Sequence, residues 1–457
     1  MNQALNWMLS RVADAVGGQL LGHDVALHGV STDTRQVAAG SLFVALRGER
    51  FDAHDFIGEA IASGANALLI SDASHLPEGT PAILVDDTRL ALGRLAAAWR
   101  AQFALPVIAV TGSNGKTTTK EMIAAILRAA FGDAVQATRG NLNNDIGLPL
   151  TLLGLSASHR AAVIEMGMNH PGEIGYLTAL GAPSVALVTN AQRAHLAGMG
   201  DLEEIAREKG SIFNGLAADG IAVINADDAY ADYWRNEAAG GRQVLTFGLD
   251  HAADVHGQAH VHGLETRLHL STAQGETDIT LRMPGKHNAR NAVAAAAACL
   301  AAGLTLDAIK AGLEAFTGVK GRLQQRAGLN GAVILDDSYN ANPDSVRAGI
   351  DVLASTIDKQ ILVLGDMGEI GEASGQYHDE IGGYAKSQGV DQLYALGDAS
   401  KAAVRNFGEG GRHFCNVDKL ISALKKELDA HTTVLVKGSR FMKMERVVEA
   451  ILAEENT

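Results

Sequence analysis

Val107-Ile108-Ala109-Val110-Thr111-Gly112-Ser113-Asn114-Gly115-Lys116-Thr117-Thr118-Thr119 decides how the rest of this 457-residue chain is read. A short apolar run ends in a glycine-bearing turn, and Lys-Thr-Thr follows. Met122, Ile123, Ile126, Leu127 and Ala130 then recur at helical spacing. Strand, loop and helix in that order make a phosphate cradle. Gly112 and Gly115 tolerate positive φ, which lets backbone N–H groups and the helix N-terminus face an anion. Lys116 adds a point charge, and Thr117 offers a hydroxyl to Mg²⁺. The common spacing G-x-x-x-x-G-K-[ST] needs glycine at 110, where this chain has Val110. The form present is the narrower T-G-x-x-G-K-T-T. An ordinary glycine-rich turn is the plain alternative.

Around this loop, residues 105–315 alternate short apolar runs with helical patterns, which predicts a mostly parallel sheet. The runs are 107–110, 162–165, 185–188 and 221–224. Ligands of such sheets gather at the carboxyl ends of the strands. Glu165 lies there, as do Thr189-Asn190 followed by His195. The segment Arg139-Gly140-Asn141-Leu142-Asn143-Asn144-Asp145 is either turn chemistry or a ligand loop. Leu202, Ile205, Ala206, Ile212, Phe213 and Leu216 trace one helical face, and Lys209 occupies the gap in its middle. A lysine there must snorkel to the helix edge, be paired, or lose its charge. An uncharged amine can take up CO₂ as a carbamate, an anion suited to Mg²⁺. Asn288 and Asn291, three apart near the start of an alanine-rich helix, can read a purine edge or merely cap the helix.

Residues 1–85 read as a small mixed α/β module. Leu5, Met8, Leu9, Val12 and Val16 form a helical stripe stopped by Gly17-Gly18. Polar residues concentrate in Ser31-Thr32-Asp33-Thr34-Arg35 and in Arg47-Gly48-Glu49-Arg50-Phe51-Asp52-Ala53-His54-Asp55, as a ligand surface or as plain solvated loops. A helical stretch from 88 to 102 leads to the phosphate-loop strand. Residues 316–457 read as a second, Rossmann-like α/β unit. Its strands are 333–335, 361–364, 393–396 and 434–436, and Asn342-Pro343 is an N-cap and first-turn pair for the helix carrying Val346, Ile350 and Leu353. No G-x-G-x-x-G fingerprint occurs there, so no NAD is expected.

The formal net charge of −14 argues against a nucleic-acid surface. With only Cys299 and Cys415, unpaired in spacing, a disulfide-free cytoplasmic protein is expected. Met1-Asn2-Gln3-Ala4-Leu5-Asn6-Trp7 has no signal-peptide pattern, and no apolar run is long enough to span a bilayer. Guanine-reading [NT]-K-x-D and kinase H-R-D motifs are missing. Three modules with the nucleotide loop in the middle suit a ligase that brings two substrates to ATP.

Together, Thr111 through Thr118, Glu165, His195, the Lys209 helix, Asn288, Asn291, Arg322 and Asp337-Ser338 resemble the Mur ligases, ATP-dependent amide-forming enzymes of peptidoglycan assembly. The resemblance covers essentially the whole chain. The 139–144 and 336–343 stretches and Gly365-Asp366-Met367-Gly368-Glu369 are similar to the branch that adds a dipeptide, and the D-N-P-R tetrapeptide of the neighbouring branch is not found. The resemblance implies that UDP-N-acetylmuramoyl-tripeptide and D-alanyl-D-alanine are the substrates, joined through an acyl phosphate, and that the chain is a monomer. It implies that Gly112, Ser113, Asn114, Gly115, Lys116, Thr117 and Thr118 hold the ATP phosphates, with Asn288 and Asn291 on adenine and Arg322 and Asp337 on ribose or phosphate. Thr117, Glu165, His195 and an N6-carboxylated Lys209 would serve Mg²⁺, with Lys116, His195 and Lys209 central to catalysis. Ser31, Asp33, Arg35, Asp52 and His54 would hold the UDP end, and Asn143, Asn144, Asn340 and Asn342 would lie near the dipeptide. Folylpolyglutamate synthetase, which lacks the N-terminal module, is the runner-up; an inactive nucleotide-binding scaffold is the reading from another class.

Overall fold

The computed structural model describes residues 5–48 and 50–453; Met1–Ala4 and Glu49, read above, lie outside the described residues. The first sheet has five short strands in the order Gln19–Leu21, Ala82–Leu84, Ala65–Ile70, Ser41–Val44, Val30–Ser31. Only the Gln19–Leu21 edge is antiparallel. Helix Leu9–Val16 buries Leu9, Val12, Ala13 and Val16 and ends at Gly17, whose φ of 67° returns its N–H to Ala13 and Asp14 carbonyls. Met8 departs from the predicted stripe. It precedes the helix, bridges to Ala26 and is exposed.

The central sheet has nine strands, ordered Gly275–Leu281, Glu265–Thr272, Val255–His262, Gln243–Gly248, Ile221–Asn225, Val185–Val188, Val107–Thr111, Ala161–Glu165, Val135–Ala137. Its core is parallel as predicted, but the last three strands in sequence form an antiparallel wing. The phosphate-loop strand sits between strands that continue in opposite directions across the sheet, which opens a crevice at its carboxyl end.

Helix Lys116–Phe131 lies beneath this crevice. It buries Met122, Ile123, Ile126 and Leu127, whereas Ala130, read as part of that stripe, is exposed. It packs on helix Lys286–Ala301, whose Ala292 and Ala294 through Ala298 are all buried. Small side chains permit that close approach. On its other flank, helix Leu306–Ala315 presents Gly312 to the backbone of Ile126, within the van der Waals shell that a Cβ would need. Gly312→Ala is therefore expected to cost about 1–3 kcal/mol by overpacking, read as a lower urea-unfolding midpoint. An unchanged midpoint would show that the helices part freely.

The third sheet runs Gln324–Ala327, Val333–Asp337, Thr432–Lys437, Lys359–Gly365, Gln392–Leu396, Gly411–Phe414, parallel except at its first edge. The predicted cap is present: Asn342 accepts from Ser345 N, Pro343 opens the helix Pro343–Ala354, and Val346, Ile350 and Leu353 are buried.

The packing joins the first two sheets more closely than the third. One apolar cluster runs from Leu9 and Val12 through Leu95 and Trp99 to Ile164, Ile174 and Phe213. Trp99 meets Trp7 edge-on at 5.3 Å and donates its indole N–H to the Leu155 carbonyl at 3.0 Å. The third sheet has its own clusters on its two faces.

Candidate active site

The phosphate cradle is built by its neighbours as much as by its own glycines. Gly112 has φ 147° and abuts Thr189, leaving no room for a Cβ. Gly115, at φ 81°, turns the chain into its helix and presses against the Asn291 amide. Ser113 N donates to Asn190 O and Asn114 N to Asn190 Oδ1, each at 2.9 Å. Lys116 Nζ folds back onto the Gly112 and Ser113 carbonyls at 2.6 and 3.2 Å. Burial lowers its pKa to about 8, with nearby Glu165 opposing and Arg322 reinforcing that shift.

Glu165, 1% exposed, accepts from Asn143 Nδ2 at 2.7 Å and Thr117 Oγ1 at 3.3 Å through Oε1. Its Oε2 is buried with no hydrogen-bond partner. An unpartnered buried carboxylate oxygen beside a hydroxyl is the hard-oxygen chemistry that Mg²⁺ selects, so these residues fit the ion. His195 sits at φ 60° and holds Nδ1 2.9 Å from Glu369 Oε2, so the carboxylate fixes the ring and Nε2 stays available. Among the described residues no group of three or more His, Cys, Asp or Glu side chains is gathered as a metal cluster.

Lys209 does not snorkel. It is 1% exposed, at the end of helix Leu202–Gly210 between Ala206 and Ile212, and its Nζ meets Met168 Sδ at 3.8 Å. Burial drives its pKa well below the ordinary lysine value, the Lys116 charge adds to this, and Glu208 opposes it.

The third sheet's strand ends close the opposite wall. Asp337 accepts from Leu323 N at 3.1 Å and pairs with buried Lys437 Nζ at 2.6 Å, which also reaches Asn340 O. The Arg322 guanidinium lies 4.1 Å over the Tyr339 ring. Asn342 and Asn114 join their side-chain amides across the cleft, Nδ2 to Oδ1 at 2.8 Å. Asn288 donates to Pro284 O at 2.8 Å and accepts from Asn291 at 3.4 Å.

The result is one cleft of 980 Å³ that gathers Ser113 through Thr118, Asn143, Asn144, Glu165, His195, Asn288, Asn291, Arg322, Asp337, Asn340 and Asn342. Gly112 and Lys209 stand behind its walls. Ser31, Asp33, Arg35, Asp52 and His54 are not among its lining residues. There Asp33 pairs with Arg35, Ser31 Oγ donates to Asp33 O, and buried His54 links Asp52 to Ser71 N. The sequence reading missed Lys437, Gln192 and His287 as wall residues. No motif marks them, because the contacts that bring them in span long stretches of chain.

The chain matches the profile of the Mur ligase family catalytic domain at residues 26–100, the Mur ligase middle domain at 110–299 and the glutamate ligase domain at 321–440. It is 45% identical to the Escherichia coli (strain K12) UDP-N-acetylmuramoyl-tripeptide–D-alanyl-D-alanine ligase over 97% of this chain and 98% of that one. The chain belongs to the Mur ligase family. Two solved structures extend the likeness. MurF from Acinetobacter baumannii superposes with a TM-score of 0.92 at 36% identity, covering 98% of this chain and 99% of that one. MurF ligase from Thermotoga maritima in complex with ADP gives 0.83 at 29%, over 92% and 96%. As a Mur ligase the chain is an ATP-dependent enzyme with the three-sheet α/β architecture of those structures. Among its described residues no helix is long and apolar enough to cross a membrane.

Proposed function

We propose that this Mur ligase joins D-alanyl-D-alanine to UDP-N-acetylmuramoyl-tripeptide at the expense of ATP. The observation that carries the reading is the near-full-length identity with relatives of that named activity. The terminal carboxylate of the tripeptide takes the γ-phosphoryl group of ATP, the dipeptide amine attacks the acyl phosphate, and phosphate leaves. Mg²⁺, when bound, neutralises charge on the phosphate oxygens.

The chain's own residues hold and orient. Residues 112–118 cradle the phosphates, with Lys116 swinging from its carbonyl contacts to the β/γ oxygens. Thr117, Glu165, His195 and a carboxylated Lys209 hold Mg²⁺; the unpartnered Glu165 Oε2 and the Glu369-oriented imidazole support this. Asn288 and Asn291 face adenine; both are buried and line the cleft that holds the phosphate loop, which supports that. Arg322 and Asp337 address ribose or phosphate. Asn143, Asn144, Asn340 and Asn342 meet the dipeptide, and residues 31–54 of the N-terminal domain, 1–85, hold the UDP end. The 105–315 domain carries the nucleotide and the 316–457 domain the incoming dipeptide. The chain acts as a monomer in the cytoplasm, and the free thiols of Cys299 and Cys415 support the latter.

Phosphate release from ATP is expected only when both substrates are present, and to stop when EDTA strips Mg²⁺. Turnover with folate and glutamate in their place would overturn the assignment.

A further inference from the structure

Arg193 lies outside the residues assigned so far, yet it makes the densest set of contacts between the central and third sheets. Its loop supports the phosphate cradle: Asn190 holds Ser113 and Asn114, and the Gln192 backbone and amide hold Ser113 Oγ at 2.9 Å and Asn114 Nδ2 at 2.7 Å. Three residues after Gln192 stands His195. Between them, Arg193 N donates to Asp344 Oδ2 at 2.9 Å, and its guanidinium donates to Asp344 Oδ1 at 2.6 and 3.1 Å. The same guanidinium reaches Glu380 Oε2 at 3.1 Å and lies 5.4 Å over the Tyr377 ring. Glu380 is tied in turn to Arg347 at 2.9 Å. Asp344 sits in the first turn of the helix that Asn342 caps, and Asn342 is the residue that grips Asn114.

We propose that Arg193 is a positioning residue: it clamps the third sheet's Pro343–Ala354 helix onto the loop that shapes the phosphate cradle, so that Asn342 meets Asn114 and Glu369 meets His195 in register. The inference rests on the reading of function above. It adds a residue that touches no reactant but fixes the distance between the walls that do. The physical case is the contact set itself. Two half-buried carboxylates face one planar donor fork, and bidentate guanidinium pairs fix orientation as well as distance. The contacts on either side are sparser: one reciprocal amide pair, at 2.8 and 3.3 Å, and one imidazole-to-carboxylate contact.

The test is steady-state kinetics and small-angle scattering on the full chain with Arg193→Ala, Arg193→Lys and Asp344→Asn. Loss of the charge-assisted hydrogen bonds between Arg193 and Asp344 predicts a fall in kcat of about tenfold or more in Arg193→Ala and Asp344→Asn. The KM for the sugar nucleotide is expected to stay within about twofold, since none of these residues touches the first sheet. Arg193→Lys, which keeps the charge but not the fork, should fall between, and the radius of gyration should rise in the order of lost activity. A kcat within about twofold of the parent overturns the clamp. So does a fall in kcat with an unchanged radius, or a KM for the sugar nucleotide that rises in step. Scattering is read without substrates, so a parent chain that fails to turn over would sink the functional reading and leave the clamp to be decided by the radius.

Discussion

Lys209→Ala is expected to lower turnover on the order of 10²–10³-fold, with a short carboxylic acid such as acetate or propionate restoring part of it. The amine is buried behind Met168, and among the described residues that sulfur is its one hydrogen-bond partner. Burial costs a charged ammonium there more than Glu208 returns, and the neutral amine is the form that adds CO₂, losing a proton as the N–C bond forms. A carbamate there would place anionic oxygens near Lys116, whose charge already reaches Lys209. An added carboxylate in the cavity left by alanine would present the same oxygens. The measurement is kcat with and without the acid. Rescue by acetate but not by an amine such as ethylamine supports the carbamate; full activity of the alanine variant, or rescue by the amine, would refute it.

Lys116→Ala is expected to reduce kcat/KM for ATP on the order of 10²–10³-fold. Two losses combine. The ammonium is the cation aimed at the phosphate loop, and its present contacts with the Gly112 and Ser113 carbonyls hold the loop's concave face in shape. An ATP-analogue titration separates them, since a loop that collapses loses binding and a loop that merely lacks its charge loses chemistry. Arginine is a poor substitute, because a planar fork does not fit where one nitrogen sits between two carbonyls. A kcat/KM within about twofold of the parent would mean that the phosphates bind elsewhere.

The residues that announced the fold did so through local spacing. The loop after Val110 could be read because Gly112, Gly115 and Lys116 act within a few positions of one another, and the Asn342-Pro343 cap because a helix start is written in adjacent residues. The antiparallel wing is also written locally: Leu268 and Leu270, then Ile279 and Leu281, alternate with exposed or half-buried neighbours as a one-sided sheet requires. Lys209 showed its place on the helix face but not its depth, because depth depends on helices that arrive from elsewhere. The Lys437–Asp337 pair spans 100 residues and carries no motif at all. Likewise polarity marks Ser31, Asp33, Arg35, Asp52 and His54 only as a ligand surface or solvated loop, the UDP end comes from the resemblance, and the structure turns His54 inward between Asp52 and Ser71 N.

Three sheets make only two bodies. Because the Trp7–Trp99 junction fuses the first sheet with the second, a long ligand laid along that block meets a ruler of fixed length. The joint to the third sheet is made largely of amides, carboxylates and guanidinium groups, all of which exchange readily with water. On the proposed function, fidelity about which sugar nucleotide is held would reside in the solid part of the molecule. Timing, the moment at which the second reactant is delivered, would on the same reading reside at the wet seam.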